Sequence, residues 1–271
     1  MPELPEVETT KTGISRLLKG RRVTTVKVHN RKLRLPIPSD IITTLEGQTL
    51  LGITRRAKYL LFKFDDGFLI VHLGMSGSLR VVSSLTPKQK HDHIEIEFGH
   101  THCLRFRDPR RFGLVVWTST NPATHKLLSR CGPEPLSNDF NGKYLHSLSR
   151  SRRVSVKSLI MNGQIVVGVG NIYASEALFR AGINPNRQAG KIGLSRYLKL
   201  GVDIKTVLAE AIAAGGTTLK DYVHDDGKPG YFRQKLQVYG RKGEPCSVCG
   251  APIKHKVIAQ RSSFYCTTCQ S

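Results

Sequence analysis

The chain has 271 residues, enough for two modest domains and a small additional module. It carries 42 Lys and Arg against 20 Asp and Glu, a formal net charge of +22. This excess predicts an anionic partner, with nucleic acid favoured over the alternative, a membrane surface. No apolar run approaches the roughly 20 residues that span a bilayer. The acidic segment MPELPEVE lacks the apolar core of a signal peptide, so we expect a cytosolic protein.

The first half of the chain has the patterning of antiparallel strands after one short helix. Residues 7–18 have the spacing of an amphipathic helix that ends before Gly20. Two apolar runs, YLLFKF and FLIVHL, flank a turn at 65–67 and predict a β-hairpin. Apolar and charged residues alternate over 94–98 and 104–107, which predicts strands with one solvent-facing side. Many strands with tight turns indicate a β-sandwich or a flattened barrel.

The second half of the chain has a different character. Residues 131–135, with the sequence CGPEP, are a break signal and predict a domain boundary. Helices are expected over 171–180 and 195–214, each followed by glycine, and the polar segment 217–235 predicts a mobile loop. The predicted domains are 1–131, 132–235 and 236–271.

The most specific chemical motif is a pair of Cys-x-x-Cys sequences near the end of the chain. Its four cysteines are Cys246, Cys249, Cys266 and Cys269, with sixteen residues between the pairs. Two tight turns can place four thiolates around Zn²⁺ with no open coordination position, which predicts one structural zinc ion. The alternative is four unrelated or disulfide-bonded cysteines. Basic residues between the pairs face either phosphates or solvent.

Two glycines precede the helix predicted at 171–180, in the sequence GVGN. A dinucleotide fingerprint would need a third glycine where Tyr173 stands, and no alternating strand and helix pattern surrounds the segment. We therefore reject a nucleotide cofactor. Backbone N–H groups at this helix start still suit a phosphate, and the alternative is an ordinary turn and cap.

Pro2 is a candidate nucleophile. A small second residue permits removal of Met1, which would leave Pro2 with a free secondary amine. An α-amine titrates well below lysine, so a useful neutral fraction exists near pH 7. Attack on a sugar C1′ would form an iminium that cannot lose its charge by N-deprotonation, and this cation favours β-elimination. The alternative is an ordinary chain start.

The sequence resembles the formamidopyrimidine-DNA glycosylase family of bacterial repair enzymes from end to end. The motifs that carry the resemblance, in chain order, are MPELPEVET, RRAKYL at 55–60, HLGMSG at 72–77, KHDH at 90–93, DPRRFG at 108–113, GVGNIY at 168–173, GGTT at 215–218 and the cysteine segment with Gln260 and Arg261. The resemblance implies an N-terminal β-sandwich, a helical helix-two-turn-helix domain and a C-terminal zinc hairpin. It also implies excision of oxidised purines, 8-oxoguanine and formamidopyrimidines, followed by β,δ-elimination.

The resemblance assigns chemistry to four residues. Pro2 attacks C1′, Glu3 donates a proton to the sugar ring oxygen, and Lys58 takes part in proton transfer. Arg261 assists the second elimination, and its guanidinium suits the departing phosphate.

It also assigns DNA contacts. Met75, Arg110 and Phe112 correspond to a wedge that fills the space left by a flipped nucleotide. His91, Arg152, Lys157 and Asn171 correspond to phosphate contacts, although many relatives have lysine in place of Arg152. Loop 217–224 resembles a base-capping loop.

The expected partner is double-stranded DNA with oxidised purines or abasic sites, bound by a monomer that is associated with the bacterial nucleoid. Two other functions remain open. An endonuclease VIII-type glycosylase would share the fold and the nucleophile but act on oxidised pyrimidines. A non-catalytic zinc-ribbon DNA-binding protein would need the charge and the cysteines but not Pro2 and Glu3.

Overall fold

The computed structural model describes residues 2–216 and 236–271, which divide into two compact units. The first unit contains the chain up to Ser129, together with Gly215 and Gly216, and the second contains the rest. The predicted loop at 217–235, with its base-capping segment 217–224, lies outside the described residues. In the described part of the chain, no helix has both the length and the apolarity needed to cross a membrane.

The first unit is built from two antiparallel four-stranded sheets. Its elements are α1 (Leu4–Leu18), β1 (Val23–Val28), α2 (Ile41–Leu45), β2 (Gly52–Arg56), β3 (Tyr59–Lys63), β4 (Phe68–His72), β5 (Ser78–Ser83), β6 (Asp92–Phe98), β7 (His102–Arg107) and β8 (Leu114–Thr118). One sheet has the strand order β1-β6-β7-β5 and the other β2-β3-β4-β8. The predicted hairpin at 59–73 is confirmed, because β3 pairs with β4 from Tyr59 opposite His72 to Lys63 opposite Phe68.

The two sheets share one hydrophobic core, which confirms the predicted sandwich. Ile96 and Phe106 of one sheet belong to the same buried cluster as Phe62 and Val71 of the other. Burying each such side chain stabilises the fold by roughly 1.5–3 kcal/mol. Helix α1 adds Val7 and other apolar residues to this cluster.

The outer side of the β1-β6-β7-β5 sheet is not the solvent-facing surface that alternation predicts. Glu95 and Arg105 are only 6% and 7% exposed. They lie opposite each other on β6 and β7, and the Arg105 Nε is 2.8 Å from a Glu95 carboxylate oxygen. The Arg105 guanidinium also donates to the carbonyls of Thr86 and Pro87. The segment between β5 and β6 therefore covers this side of the sheet. The alternation of charged and apolar residues does not predict that burial.

The second unit contains the helices and the cysteine module. Its elements are α3 (Gly142–Ser149), α4 (Val156–Ile160), α5 (Asn171–Arg180), α6 (Leu194–Ala213), β9 (Lys254–Ile258) and β10 (Arg261–Tyr265). Helices α5 and α6 agree with the sequence prediction. Helices α3 and α6 approach so closely that a Cβ on Gly142 would lie 2.3 Å from the Cα of Leu198.

A buried carboxylate holds the chain that enters the cysteine module. Glu176 on α5 is 1% exposed and accepts hydrogen bonds from the backbone N–H groups of Gln237, Val238 and Tyr239, at 2.8, 3.0 and 2.8 Å. Burial raises the pKa of this carboxyl, and the three backbone bonds act in the opposite direction. The contact fixes residues 237–239 to α5.

Candidate active site

The start of α1 presents two buried acids beside Pro2. Pro2 is buried, and Glu3 and Glu6 are 2% and 1% exposed. The backbone N–H of Glu3 donates to a Glu6 carboxylate oxygen at 2.8 Å, and the Glu3 side chain accepts from the backbone of Glu6 in return. This capping box begins the helix at Leu4, one turn before the predicted start. The Glu-x-x-Glu spacing is the sequence signal that would have identified Glu6.

Lys58 lies in the turn between β2 and β3. Arg55 holds this turn, since its guanidinium is 2.6 Å from a Glu8 carboxylate oxygen and donates to the carbonyl of Ala57 at 2.9 Å. Burial, and next the positive charge of Lys58, lowers the pKa of the neighbouring His72 to about 4. His72 is therefore neutral near pH 7, which suits the acceptor role of its Nδ1 toward the backbone N–H of Gly74 at 2.9 Å.

The predicted wedge residues lie on two loops that a single carboxylate joins. Asp108 is fully buried. One of its oxygens accepts from the Ser76 hydroxyl at 2.7 Å and from the Arg110 N–H at 3.3 Å, and the other accepts from the Gly113 N–H at 2.7 Å. Asp108 thus connects the loop that carries Met75 to the loop that carries Arg110 and Phe112.

The two wedge loops touch through their backbones. Gly74 has φ +68°, and a Cβ there would lie 2.4 Å from the backbone nitrogen of Gly113. The Arg110 guanidinium lies over the ring of Phe112, 5.1 Å from its centroid. Phe112 is 45% exposed, while Met75 is half-buried. A large exposed aromatic ring on a fixed loop suits insertion between stacked bases.

His91 adjoins these loops. Its carbonyl accepts from the backbone N–H of Asp108 at 3.1 Å, and the buried ring of His93 is hydrogen-bonded to the Asp108 carbonyl at 2.8 Å. His91 itself has φ +74°, an uncommon conformation for a residue with a side chain. Asp108 therefore positions the predicted phosphate contact as well as the wedge. The motif DPRRFG is visible in the sequence, but the burial that gives Asp108 this role is not.

Arg261 lies at the tip of the β9–β10 hairpin. The turn passes through Ala259 and Gln260 with φ 46° and 61°, and Arg261 is the first residue after it, exposed to solvent. Two consecutive positive φ values are typical of a type I′ turn, which normally takes Asn and Gly. Positive φ is uncommon for residues other than glycine, and such residues cluster at functional sites.

Lys157 is buried, whereas the predicted phosphate contact would need an accessible ammonium group. Its side chain is 1% exposed, and its ammonium donates to the Ser175 hydroxyl, the Ser262 carbonyl and the Ser263 hydroxyl at 3.1, 3.0 and 2.8 Å. These bonds fix the strand next to Arg261 against α4 and α5. The geometry supports a positioning role for Lys157, and a lysine in a sequence gives no sign of such burial.

The other two predicted phosphate contacts are more accessible. Arg152 is exposed between α3 and α4. Asn171 is the first residue of α5 and is half-buried. The backbone N–H groups in the first turn of a helix lack acceptors within the helix, so this end of α5 is suited to an anion.

The four cysteines of the second unit form a metal-binding cluster. All four sulfur atoms lie within 4.8 Å of one another. Two of the sulfur pairs, Cys246 with Cys269 and Cys249 with Cys266, are 3.9 and 3.4 Å apart. Tetrahedral zinc with bonds of about 2.3 Å needs sulfur atoms about 3.8 Å apart, so these residues fit the ion.

Family comparisons cover almost the whole chain. Residues 1–115 match the formamidopyrimidine-DNA glycosylase N-terminal domain, residues 131–223 match the formamidopyrimidine-DNA glycosylase H2TH domain, and residues 243–271 match the zinc finger found in FPG and IleRS. The formamidopyrimidine-DNA glycosylase of Nitrosococcus oceani is 56% identical over 270 residues, with 100% of both chains covered. That of Alkalilimnicola ehrlichii is 55% identical over 276 residues, again with 100% of both chains covered.

The fold agrees with solved structures of the same kind. A Lactococcus lactis FPG mutant in complex with Fapy-dG containing DNA matches with a TM-score of 0.93 and 33% identity, over 100% of both chains. The predicted sandwich, helical domain and zinc hairpin are confirmed, and the cysteine cluster holds one structural zinc ion. The chain belongs to the formamidopyrimidine-DNA glycosylase family and is a DNA-binding repair enzyme that acts on damaged bases.

Proposed function

We propose that the enzyme excises oxidised purines, 8-oxoguanine and formamidopyrimidines, and then cleaves the resulting abasic site by β,δ-elimination. The observation that carries this proposal is the burial of Glu3 beside Pro2, in the same unit as the fixed wedge loops. The Glu3 side chain also caps α1, so its position directly after Pro2, and not its burial alone, favours a catalytic carboxyl. The solved relative with Fapy-dG containing DNA supports the purine class, and another Lactococcus lactis Fpg structure contains abasic-site DNA.

The proposed reaction begins at the amine of Pro2, after removal of Met1. Its lone pair forms a bond to C1′ as the bond from C1′ to the base breaks, and the departing base takes up a proton as the nitrogen of Pro2 loses one. Glu3 gives a proton to the ring oxygen as the C1′–O4′ bond opens, which produces the iminium. Loss of a C2′ proton then expels the 3′ phosphate, and loss of the C4′ proton expels the 5′ phosphate. Water then hydrolyses the iminium, which releases the sugar fragment as an aldehyde and frees the amine of Pro2. We assign proton transfer to Lys58 and stabilisation of a departing phosphate to Arg261.

DNA recognition is proposed to use the remaining predicted residues. Met75 and Phe112 would fill the space left by the flipped nucleotide, and Arg110 would hydrogen-bond the orphaned base. Three further contacts to phosphates are assigned to His91, Arg152 and Asn171. For Lys157 we propose the positioning of Arg261 in place of a phosphate contact.

We also propose the domain limits 1–131, 132–235 and 236–271, capping of the flipped base by 217–224, a monomeric state, and a cytoplasmic location with nucleoid association. If several substitutions in 217–224 left the preference for 8-oxoguanine over guanine unchanged, the base-capping assignment would be wrong.

Borohydride trapping tests the proposed chemistry. The protein is incubated with a duplex that contains 8-oxoguanine opposite cytosine, and the adduct is mapped by mass spectrometry. We expect one adduct at Pro2, lost in Pro2→Gly, and much slower base release in Glu3→Gln. Glu97→Gln is the matched control, because Glu97 pairs with exposed Lys27 on β1. Full excision by either active-site variant would contradict the mechanism, and trapping only with an oxidised pyrimidine would favour the endonuclease VIII-type alternative.

A further inference from the structure

A small polar pocket lies on the outer side of the β1-β6-β7-β5 sheet. Its volume is about 60 Å³. The polar lining includes three arginines from adjacent strands and three residues around them: Arg80, Arg105, Arg107, Ser78, Gln89 and Asp92. A water molecule needs roughly 10–15 Å³ of such space, so the pocket has room for several waters or one oxyanion group.

The three arginines differ in the hydrogen-bond and ion-pair partners that the protein provides for their guanidinium groups. Arg105 is neutralised, since it forms an ion pair with Glu95 at 2.8 Å and lies 3.6 Å from Asp92. Arg107 donates to the neutral amide oxygen of Gln89 at 2.5 Å. Among residues 2–216 and 236–271, the buried Nε atoms of Arg80 and Arg105 have no hydrogen-bond partner, and that of Arg105 faces the Glu95 carboxylate. A buried donor without an acceptor costs free energy, and here an acceptor from outside the chain would satisfy it.

The strand register places these charges close together. Arg80 lies directly opposite Arg105, and Ser78 lies opposite Arg107. Because Glu95 neutralises Arg105, the positive charge next to Arg80 across the two strands is that of Arg107, in the diagonal position. Asp92 is the acid in the lining, and one of its oxygens accepts from the backbone N–H of Gln89 at 2.7 Å and faces Arg105. Three arginines against the carboxylates of Asp92 and Glu95 leave one net positive charge, and the guanidinium forks of Arg80 and Arg107 match the oxygens of a phosphate.

The pocket is continuous in the chain with the proposed DNA contacts. Asp92 directly follows His91, and Arg107 directly precedes Asp108, whose N–H bonds the His91 carbonyl. We propose that this pocket, through Arg80 and Arg107, binds a backbone phosphodiester of the DNA next to the one assigned to His91. The inference rests on the proposed DNA contacts of the first unit, and it extends them onto the outer side of the sheet.

Salt dependence of binding tests the pocket. The affinity of the full protein for a duplex with an abasic-site analogue is measured over a series of salt concentrations for wild type, Arg80→Gln and Arg107→Gln. Losing one phosphate contact reduces the slope of log K against log salt by about 0.9. We expect that reduction in each variant, with unchanged thermal unfolding. Lys63→Gln is the control, because Lys63 is an exposed cation on β3 of the other sheet and should leave the slope unaltered.

A second measurement identifies the occupant. The ¹⁵N resonance of the Arg80 Nε in the wild-type protein is followed during titration with the duplex or with inorganic phosphate alone. This measurement does not require a folded variant. A shift with the duplex supports the proposal. A response only to inorganic phosphate, or salt slopes equal to that of wild type, would overturn it. If wild type itself does not bind the damaged duplex, the proposed function fails, which is a result distinct from failure of the pocket alone.

Discussion

Replacing Asp108 with asparagine tests whether one carboxylate organises the DNA-contacting loops. The substitution keeps the shape of the side chain but exchanges one acceptor oxygen for an NH₂ donor. Both oxygens are used in the structure, one by Ser76 and Arg110 and the other by Gly113. In either orientation of the amide, a donor would therefore face a donor inside a fully buried site.

The expected cost follows from these bonds. A hydrogen bond to a charged group contributes about 1.5–3 kcal/mol, and a buried donor left without an acceptor costs about 1–3 kcal/mol. The variant loses the charge and either the bond from the Gly113 N–H or the bond from the Arg110 backbone N–H, while the Ser76 hydroxyl can turn to accept from the new NH₂. We expect the free energy of unfolding to fall by about 2–4 kcal/mol. The loops that carry Met75 and Phe112 should separate first, because Asp108 is the group that joins them.

Urea unfolding and lesion binding measure the two consequences in Asp108→Asn. The slope with urea should stay unchanged while the midpoint falls, and affinity for a duplex with an abasic-site analogue should fall under conditions where the protein is still folded. Asp66→Asn, an exposed acid in the β3–β4 turn, should change stability by less than about 0.5 kcal/mol. An Asp108→Asn variant with the stability and affinity of wild type would refute the reasoning.

Three other predictions concern groups whose surroundings are known from the structure. Lys157→Met should lower the free energy of unfolding by roughly 2–4 kcal/mol, because three acceptors lose a charged donor. The variant should also slow the second elimination more than base release, and the products of the two steps are separated on a sequencing gel. Equal slowing of both steps would contradict a positioning role. His72 has its pKa lowered from 6.5 to about 4 in the folded state, so the unfolded state binds more protons between these values. The contribution of neutral His72 to the free energy of unfolding is therefore complete above pH 6.5 and is lost toward pH 4, by about 3 kcal/mol in total. The pH dependence of urea unfolding should be flatter in His72→Gln over this range. Zinc chelation or Cys246→Ser should weaken DNA binding while the near-UV circular dichroism of the sandwich persists, and unchanged affinity would exclude the zinc module from the DNA contact.

The local sequence pattern was sufficient to predict those elements whose structure depends only on residues close together in the chain. The β3–β4 hairpin needs only two apolar runs and the turn ending in Gly67, and α5 ends at Arg180 just before Gly182, which has φ +70°. The zinc site was predictable for the same reason, since ligand type and spacing are both visible in the chain. The catalytic residues and the wedge depended on resemblance to the family, because a proline, a lysine or a methionine has no distinctive pattern of its own.

Burial of charged residues could not be predicted from local pattern. Glu95 and Arg105 alternate with apolar neighbours as a solvent-facing side would, yet the segment between β5 and β6 covers them. The positive charge of Lys157 is compatible with a phosphate contact. Its burial, however, depends on Ser262 and Ser263, which lie about a hundred positions away in the chain. Such contacts are set by tertiary packing, which a single sequence does not display.

Three of the buried acids have the same role in a chain with 20 Asp and Glu against 42 Lys and Arg. Glu6, Asp108 and Glu176 are each no more than 1% exposed, and each accepts backbone N–H groups. Each one fixes a segment with a proposed function, namely the start of α1 beside Pro2, the wedge loops and the entry to the zinc module. A neutral acceptor would form weaker bonds to these N–H groups, and an exposed carboxylate would repel DNA phosphates. Placing these acids inside therefore strengthens the site while leaving the positive surface that a net charge of +22 provides for DNA.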